Sequence, residues 1–306
     1  MRRADSARTP SISEQQGRIV SAHGRHYMVE LEDGSLRKCF PRGKRSEATV
    51  GDYVMVTVQG EEGSIERILD RRNLLYRSDE MRSKQFAANV DQLLIVVASE
   101  PMFSDDLAGR ALVGAWSAGI APIIVHNKAD LPSADAARSR LAPFRSLGVP
   151  VIETNAINIE ETRRILLPVL KGHTNLLLGQ SAMGKSTLLN ALVPDAGAAT
   201  QEHSQALGAG KHTTTATRLY RLPEGGDLID SPGFQAFGLY HLEPEEIVRG
   251  FPEFHTPMET CRFYNCSHRH EPGCGVLAAL HQGDIAPERH ALYTRLLAEN
   301  EARNSY

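Results

Sequence analysis

Near its middle the chain reads Gly179-Gln180-Ser181-Ala182-Met183-Gly184-Lys185-Ser186-Thr187, between the apolar runs 176–178 and 188–192. This order is typical of a strand, a phosphate-binding loop and a helix. The two glycines allow backbone N–H groups to wrap a polyphosphate, and the helix N-terminus adds partial positive charge. Lys185 can reach the β and γ oxygens, the Ser186 hydroxyl can ligate Mg²⁺, and Thr187 can contact the α-phosphate. A glycine-rich turn that only starts a helix is the alternative, but the strand-to-helix context favours nucleotide binding by this loop.

Composition limits the class of protein. The 306 residues include 34 Lys and Arg against 37 Asp and Glu, which gives a formal net charge of -3. A uniformly basic nucleic-acid-binding protein is excluded, so any such contact needs a local basic patch. No apolar run approaches the roughly 18 residues of a membrane helix, and the N-terminus lacks the hydrophobic core of a signal peptide. We therefore expect a cytoplasmic monomer of two or three domains, without membrane contact.

The N-terminal part alternates short β-prone runs with turns. Residues 1–13 are polar and predict a disordered tail. Residues 14–78 predict a small β-barrel of the oligonucleotide-binding type, the OB-fold. Its five expected strands lie at 17–20, 27–31, 36–40, 53–58 and 64–68.

One basic segment of this barrel surrounds an aromatic residue, Phe40, and contains no acid. Cations beside a stacking ring are typical of a face that binds nucleic acid. A solvated hairpin whose Phe40 points into the barrel core fits the residues equally well. The candidate RNA-binding residues are Arg37, Lys38, Arg42, Lys44 and Arg45.

Residues 71–84 are charged and poor in large apolar side chains, which predicts a linker. Beyond it, apolar runs without alternation predict parallel strands covered on both faces, and the spacers between them are long enough for helices. We expect one doubly wound α/β domain at 79–240 that contains the phosphate loop. Its expected strands are 92–97, 121–125, 149–152, 174–178, 216–222 and 226–230, with helices at 104–118 and 131–147.

A second motif, Asn127-Lys128-Ala129-Asp130, follows the strand ending at Val125. The Asp130 carboxylate can accept hydrogen bonds from the N1–H and the exocyclic amine of guanine, a donor pair that adenine lacks. Asn127 would steady the base and the neighbouring loops, while the Lys128 stem would pack across the ring. Beside a phosphate loop this motif predicts GTP over ATP.

Two further segments complete a GTP site. Asp230-Ser231-Pro232-Gly233 ends a strand in an Asp-x-x-Gly pattern, in which Asp230 holds Mg²⁺ through water and the Gly233 N–H meets the γ-phosphate. A threonine of the segment 210–215, for which we choose Thr214, can ligate Mg²⁺ only when the γ-phosphate is present. A strand-end turn and a polar loop are the alternatives.

The order of these motifs is unusual. Ordinary small GTPases run phosphate loop, switch segment, Asp-x-x-Gly and then guanine motif, whereas here the guanine motif at 127–130 precedes the phosphate loop at 179–187. The domain is therefore predicted to be circularly permuted, which preserves the site because the sheet can close around new termini. As a result, the Asp230 loop leads directly into the C-terminal region.

That region, 241–306, contains Cys261-x4-Cys266-x-His268-x5-Cys274. Three thiolates and one imidazole form a sufficient tetrahedral shell for one structural Zn²⁺. A redox pair or a disulfide is the competing interpretation, and it is disfavoured by a cytosolic setting and by the fourth ligand type close by. We expect a helical zinc-binding domain, with His270 and Glu271 in supporting or surface positions.

Together these motifs resemble the ribosome small-subunit-dependent GTPase A family (RsgA, also called YjeQ or YloQ). The resemblance covers the chain from about residue 14 onward and also includes Ala88-Asn89-Val90-Asp91. It implies an OB-fold barrel, a permuted GTPase domain and a zinc-bearing tail. It further implies GTP hydrolysis stimulated by the 30S subunit in late maturation of that subunit, with barrel and zinc domains touching 16S rRNA. This implication favours RNA contact for the basic barrel segment.

The resemblance has one departure. The loop that contacts guanine O6 usually carries a Ser-Ala pair, but Thr154-Asn155-Ala156 stands in that place here. The Ala156 backbone can still serve, and the Asn155 contact is in doubt.

Phe234 occupies the position after Asp-x-x-Gly where many GTPases place a water-orienting glutamine, and a phenyl ring cannot take that role. We predict His212 as the catalytic residue that holds the water, with Lys185 as the catalytic charge clamp. A loop histidine that contacts rRNA or solvent is the alternative. Two functions follow: a GTPase that leaves the matured 30S particle on hydrolysis, or a nucleotide-regulated rRNA-binding placeholder for which turnover is incidental.

Overall fold

The protein is described here by a computed structural model, which covers residues 14–24, 26–42, 47–78, 83–194, 196, 217–232 and 237–304. The predicted tail at 1–13 lies outside these residues. Within them the strands form one continuous eleven-stranded sheet and a separate two-stranded hairpin.

Five strands at the N-terminus close into a barrel. Strand β1 is long enough to pair antiparallel with β4 through its first half and with β2 through its second half, while β3 and β5 pair in parallel. Every second side chain points inward, as in Val54 and Val56, which are fully buried. This confirms the predicted five-stranded barrel. The strands are β1 (Glu14–His23), β2 (His26–Leu31), β3 (Leu36–Pro41), β4 (Tyr53–Gln59) and β5 (Glu62–Ile68).

The predicted linker at 71–84 was wrong at 74–78 and 83–84, because these residues belong to the paired strands β6 (Leu74–Ser78) and β7 (Ser83–Ala88) of a hairpin. Two apolar residues hold the hairpin in place. Leu75 and Phe86 are buried, and the Phe86 ring stacks on Phe237 at 5.7 Å. The chain therefore passes from barrel to α/β domain through packed structure.

The α/β domain has a parallel sheet in the order β10-β9-β8-β11-β13. Its central strands are buried on both faces, which explains their continuous apolar sequence. The elements are β8 (Gln92–Val97), α1 (Asp105–Ser117), β9 (Ala121–His126), α2 (Ala134–Ser146), β10 (Val151–Glu153), α3 (Ile159–Leu170), β11 (Thr174–Gly179), α4 (Lys185–Leu192), β12 (Arg218–Arg221) and β13 (Asp227–Asp230). This confirms the predicted doubly wound architecture.

Strand β12 lies at the edge of the parallel strands and joins them to the barrel. It runs antiparallel to β13 on one side and pairs with β1 at Ser21 on the other. Beside this junction the buried Arg18 binds the Asp227 carboxylate at 2.5 Å and the Thr174 hydroxyl at 3.0 Å. Arg221 forms ion pairs with both Asp227 and Glu30 of the barrel.

The C-terminal region is helical, as predicted, and packs on α1. Its elements are α5 (Pro244–Arg249), a 3-10 turn at Pro252–Phe254, α6 (His255–Met258), α7 (Gly275–Gln282) and α8 (Pro287–Asn304). Arg110 of α1 binds Glu299 of α8 with two hydrogen bonds of 2.9 and 2.6 Å. Phe251, Phe254 and, from α8, Tyr293 form a buried aromatic cluster, and Phe254 also contacts His268 in the loop that precedes α7.

Candidate nucleotide site and metal centre

The phosphate loop connects β11 to α4 at the carboxyl edge of the sheet. Gly184 caps α4 with φ +89°, and a Cβ there would lie 2.2 Å from the Asn127 amide nitrogen. A Cβ on Gly179 would lie 2.6 Å from the Val96 carbonyl oxygen. Only glycine fits both positions, as expected for a loop whose backbone N–H groups would wrap a phosphate before α4. Gln180 fixes the start of the loop by accepting a 2.7 Å hydrogen bond from the N–H of Ser104.

Asn127 connects three loops of the site. Its amide Nδ2 donates to the Met183 carbonyl at 3.0 Å, and its Oδ1 accepts from the Ala156 N–H at 3.0 Å. The side chain is 2% exposed. Asn127 donates one buried hydrogen bond and accepts another. Together these bonds hold the guanine motif, the phosphate loop and the 154–156 loop in one arrangement.

Lys128 and Asp130 of the same motif differ in exposure. Lys128, at φ +59°, donates from Nζ to the carbonyls of Glu100 and Ala182 at 2.6 and 3.0 Å. Its stem therefore crosses toward the phosphate loop, as the packing on a base would require. Asp130 is exposed, so its carboxylate is accessible to a ligand.

The 154–156 loop shows where the Asn155 side chain, whose contact with guanine was in doubt, is placed. The Asn155 side chain accepts from the Ile157 N–H at 3.1 Å, so it stabilises its own turn. Since the Ala156 N–H donates to Asn127, a guanine O6 contact from Ala156 would have to share that N–H. The Ala156 contact stays a prediction.

Lys185, the first residue of α4, lies close enough to Asp230, the last residue of β13, to interact with its charge. Burial lowers the pKa of Lys185, and the negative charge of Asp230 opposes that shift. Asp230 is itself buried, and the next residue, Ser231, donates to the Leu177 carbonyl at 3.1 Å. Ser186 and Thr187, at the start of α4, are exposed toward the same edge.

The structure thus brings together at one edge the described members of the predicted GTP site: residues 127–130, 156, 179–187 and 230. Other predicted residues lie outside the described residues. These are His212, Thr214 and Gly233 of the GTP site, and Lys44 and Arg45 of the basic segment.

The predicted zinc ligands converge. One donor atom from each of Cys261, Cys266, His268 and Cys274 lies within 4.8 Å of the others. The His268 Nδ1 is 3.6 Å from Cys261 Sγ and 3.5 Å from Cys274 Sγ, and those sulfurs are 4.0 Å apart. A tetrahedron with Zn–S bonds of about 2.3 Å has S···S edges of about 3.8 Å, so the donor set fits one zinc ion.

The backbone around this cluster supports the ligands. The N–H groups of Gly275 and Leu277 donate to Cys261 Sγ and Cys274 Sγ at 3.3 and 3.4 Å. Glu271 accepts from the N–H groups of Ser267, Arg269 and His270 at 2.7, 3.2 and 3.2 Å. Glu271 therefore shapes the ligand loop, a role that matches the predicted supporting position.

In the basic barrel segment Cys39, and not Phe40, fills the core. Burial raises the pKa of the Cys39 thiol to about 11. Phe40 is 36% exposed, with Lys38 over its ring at 5.1 Å. Lys38 and Arg42 also form ion pairs with Glu62 and Glu66 of β5, so this face carries less net positive charge than its sequence suggests.

An aromatic tip between two of the predicted zinc ligands was missed from the sequence. Tyr264 is fully exposed, Phe263 is 40% exposed, and Arg262 stacks on Phe263 at 5.5 Å. The signal was present as Arg-Phe-Tyr-Asn between Cys261 and Cys266. We name this tip, residues 262–264, the aromatic loop.

A phosphate loop after a central parallel strand, held by a guanine motif that comes earlier in the chain, defines a circularly permuted P-loop GTPase domain. The family model described as RsgA GTPase matches residues 68–240. The chain belongs to the RsgA GTPase family.

Relatives and solved structures agree with this assignment. The chain is 67% identical over 299 residues to the small ribosomal subunit biogenesis GTPase RsgA of Bordetella pertussis, covering 97% of this chain and 100% of the relative. It is 58% identical over 288 residues to the protein of that name from Burkholderia pseudomallei, covering 93% and 92%.

Among solved structures, YjeQ from Thermotoga maritima is similar at a TM-score of 0.72 and 32% identity, covering 94% of this chain and 99% of that one. YloQ, described as a circularly permuted GTPase, is similar at 0.70 and 28%, covering 97% and 99%. Among the helices that the structure describes, none has the length and apolar character to span a bilayer.

Proposed function

We propose that the protein is a GTPase of small-subunit biogenesis that binds 16S rRNA and hydrolyses GTP to GDP and phosphate under stimulation by the 30S subunit. The proposal places the RNA-binding barrel at 14–78, the GTPase domain at 79–240 and the zinc domain at 241–306, in a cytoplasmic monomer. Family membership and the names of the relatives support it.

The observation that carries the nucleotide part is the Asn127 side chain, which joins the guanine motif to the phosphate loop through Met183. The Asp130 carboxylate reads the N1–H and amine of guanine, and the Lys128 stem covers the ring. The loop N–H groups and the Lys185 ammonium bind the phosphates, where positive charge opposes the charge that develops during phosphoryl transfer.

Mg²⁺ bound with GTP would neutralise charge on the β and γ oxygens. Ser186 would hold it directly and Asp230 through water, with Thr214 as the proposed ligand that depends on the γ-phosphate. Zinc would be held by the four converging ligands in a closed shell, and so has a structural role. His212 remains the proposed water-orienting residue and Gly233 the proposed γ-phosphate contact.

Two surfaces are suited to RNA. On the barrel, the exposed Phe40 with Lys38 above it combines a stacking ring with a cation. On the zinc domain, the aromatic loop offers the fully exposed Tyr264, held on a short loop by ligands on either side. Arg37, Arg42, Lys44 and Arg45 would add phosphate contacts to the barrel surface.

Hydrolysis measured with and without purified 30S subunits tests the function. A GTPase of this kind is slow alone, at about 10⁻⁴ to 10⁻² s⁻¹, and a group ordered or supplied on the subunit can add a factor on the order of 10³. Strong stimulation by 30S, and none by 50S, is the expected result. The rRNA-binding placeholder would instead bind 30S in a GTP-dependent way with an unchanged rate.

His212→Ala separates the water-orienting role from RNA contact. The variant should retain GTP binding and 30S association but lose most of the stimulated turnover. Stimulation equal to wild type would assign the water to another residue or to rRNA.

A further inference from the structure

Two of the loops that form the base site are connected behind it by one side chain of α2. We propose that Arg138 is a positioning residue for guanine recognition, acting through Ala129 and Glu153. This inference rests on the proposed binding of GTP.

The Arg138 guanidinium forms hydrogen bonds with both the guanine motif and the residue that precedes the 154–156 loop. Its Nη2 donates to the Ala129 carbonyl at 3.1 Å, inside the guanine motif. Its Nη2 also donates to Oε2 of the Glu153 carboxylate at 2.7 Å, and its Nε lies 3.1 and 3.0 Å from Oε1 and Oε2. Glu153 is the last residue of β10 and immediately precedes Thr154, so the second loop starts at this ion pair. Asp135 occupies the remaining Nη1 at 2.7 Å.

The contact with Ala129 matters because Asp130 follows it. The carboxylate that would read guanine is exposed, so few side-chain contacts can hold it and its position depends on its backbone. Both backbone groups of Ala129 are held: its N–H donates to the Thr154 carbonyl at 3.0 Å, and its carbonyl, in the peptide that leads to Asp130, accepts from Arg138. Without the second bond the peptide can rotate and move the carboxylate from the base.

The charges around Glu153 fix the pair in place. The hydrogen bond from Arg138 is the largest cause that lowers the pKa of Glu153, so the carboxyl stays ionised. Arg145 also reaches this carboxylate, at 3.2 Å to Oε1, and the buried His126 Nδ1 lies 3.9 Å from the same oxygen. Burial lowers the pKa of His126, which makes it a neutral neighbour.

A surface ion pair that only adds a small amount of stability is the competing interpretation. Arg145 provides the comparison. It lies on the same helix, has similar exposure and shares the same carboxylate, but among the described residues it forms no hydrogen bond to the guanine motif. Arg145→Ala should therefore reproduce the stability effect of losing a Glu153 partner without the recognition effect.

The experiment measures the affinities of GDP and inosine diphosphate for the full-length wild type, Arg138→Ala, Arg138→Lys and Arg145→Ala, with thermal unfolding of each. Inosine lacks the exocyclic amine that Asp130 would accept, so the ratio of the two affinities reports the Asp130 contact.

We expect Arg138→Ala to weaken GDP about tenfold, a size typical of one lost charge-assisted hydrogen bond. Binding of inosine diphosphate should weaken less, so the ratio of GDP affinity to inosine diphosphate affinity falls. Arg138→Lys, which can reach one partner only, should give a ratio between those of the wild type and Arg138→Ala. Arg145→Ala should keep the wild-type ratio.

Equal weakening of both nucleotides by Arg138→Ala, or a matching loss of the ratio in Arg145→Ala, overturns the positioning role. A wild type that does not distinguish the two nucleotides would instead contradict the proposed guanine recognition itself.

Discussion

Removal of the Asn127 amide is the sharpest test of how the nucleotide site is held together. The change Asn127→Ala deletes two buried hydrogen bonds, one to the Met183 carbonyl and one from the Ala156 N–H, each 3.0 Å long. It leaves both backbone groups without that partner at a site where the side chain was 2% exposed.

The cost follows from these two groups. A buried polar group left unpaired costs about 1 to 3 kcal/mol, so the pair costs about 2 to 4 kcal/mol if water enters partway. If this whole cost applies to the GDP-bound state and not to the free protein, GDP affinity falls about 30- to 700-fold. Any part of the cost that already applies to the free protein lowers its unfolding temperature instead of its GDP affinity.

The assay is titration of fluorescent GDP together with thermal unfolding of the ligand-free protein. Asn175→Ala is the matched control, because this amide is also buried and donates to the carbonyls of Leu170, His173 and Asp227, each at 3.0 Å. Asn175 lies at the end of β11 opposite the phosphate loop. We expect both variants to lose stability and only Asn127→Ala to lose most of its GDP affinity. Wild-type affinity in Asn127→Ala would refute the reasoning.

Three further outcomes are expected. Asp130→Asn should weaken GTP and shift preference toward xanthosine triphosphate in competition binding, and unchanged GTP affinity would argue against the assignment of Asp130. Lys185→Ala should abolish detectable phosphate release, because it deletes the charge clamp; turnover near the wild-type rate would exclude that role. Cys266→Ser, or chelation, should release one zinc per chain and unfold 246–306 while leaving the barrel folded, as read by metal analysis and limited proteolysis. Purified protein without zinc would remove the basis for this last prediction.

Much of the site could be predicted because its chemistry is local in sequence. The phosphate loop, the guanine motif and the Cys/His set each consist of neighbouring residues with fixed spacing, and the structure brings each set together. The buried strands were equally clear, since apolar runs such as 92–97 need no knowledge of their partners.

Other features depend on contacts between distant residues. Residues 71–84 have few large apolar side chains, and the hairpin that begins there is held in part by the stacking of Phe86 on Phe237, far along the chain. The direction of Phe40 was undecided because one residue of register exchanges it with Cys39. The contacts of Arg138 could not be predicted, since Ala129 and Glu153 come together only in the folded chain.

The pairing of β1 with β12 bears on how truncations of this protein should be interpreted. Deleting the barrel would expose β12 as an unpaired edge and would leave the buried Asp227 without Arg18, three residues before Asp230. An unpaired strand edge invites aggregation, and the buried Asp227 carboxylate would lose one of its two arginine partners and keep only Arg221, which destabilises the strand that carries it. A shortened chain with poor turnover would therefore report damage to the GTPase sheet as well as loss of RNA contact. Point changes on the outer barrel face, such as Phe40→Ala, separate those two effects.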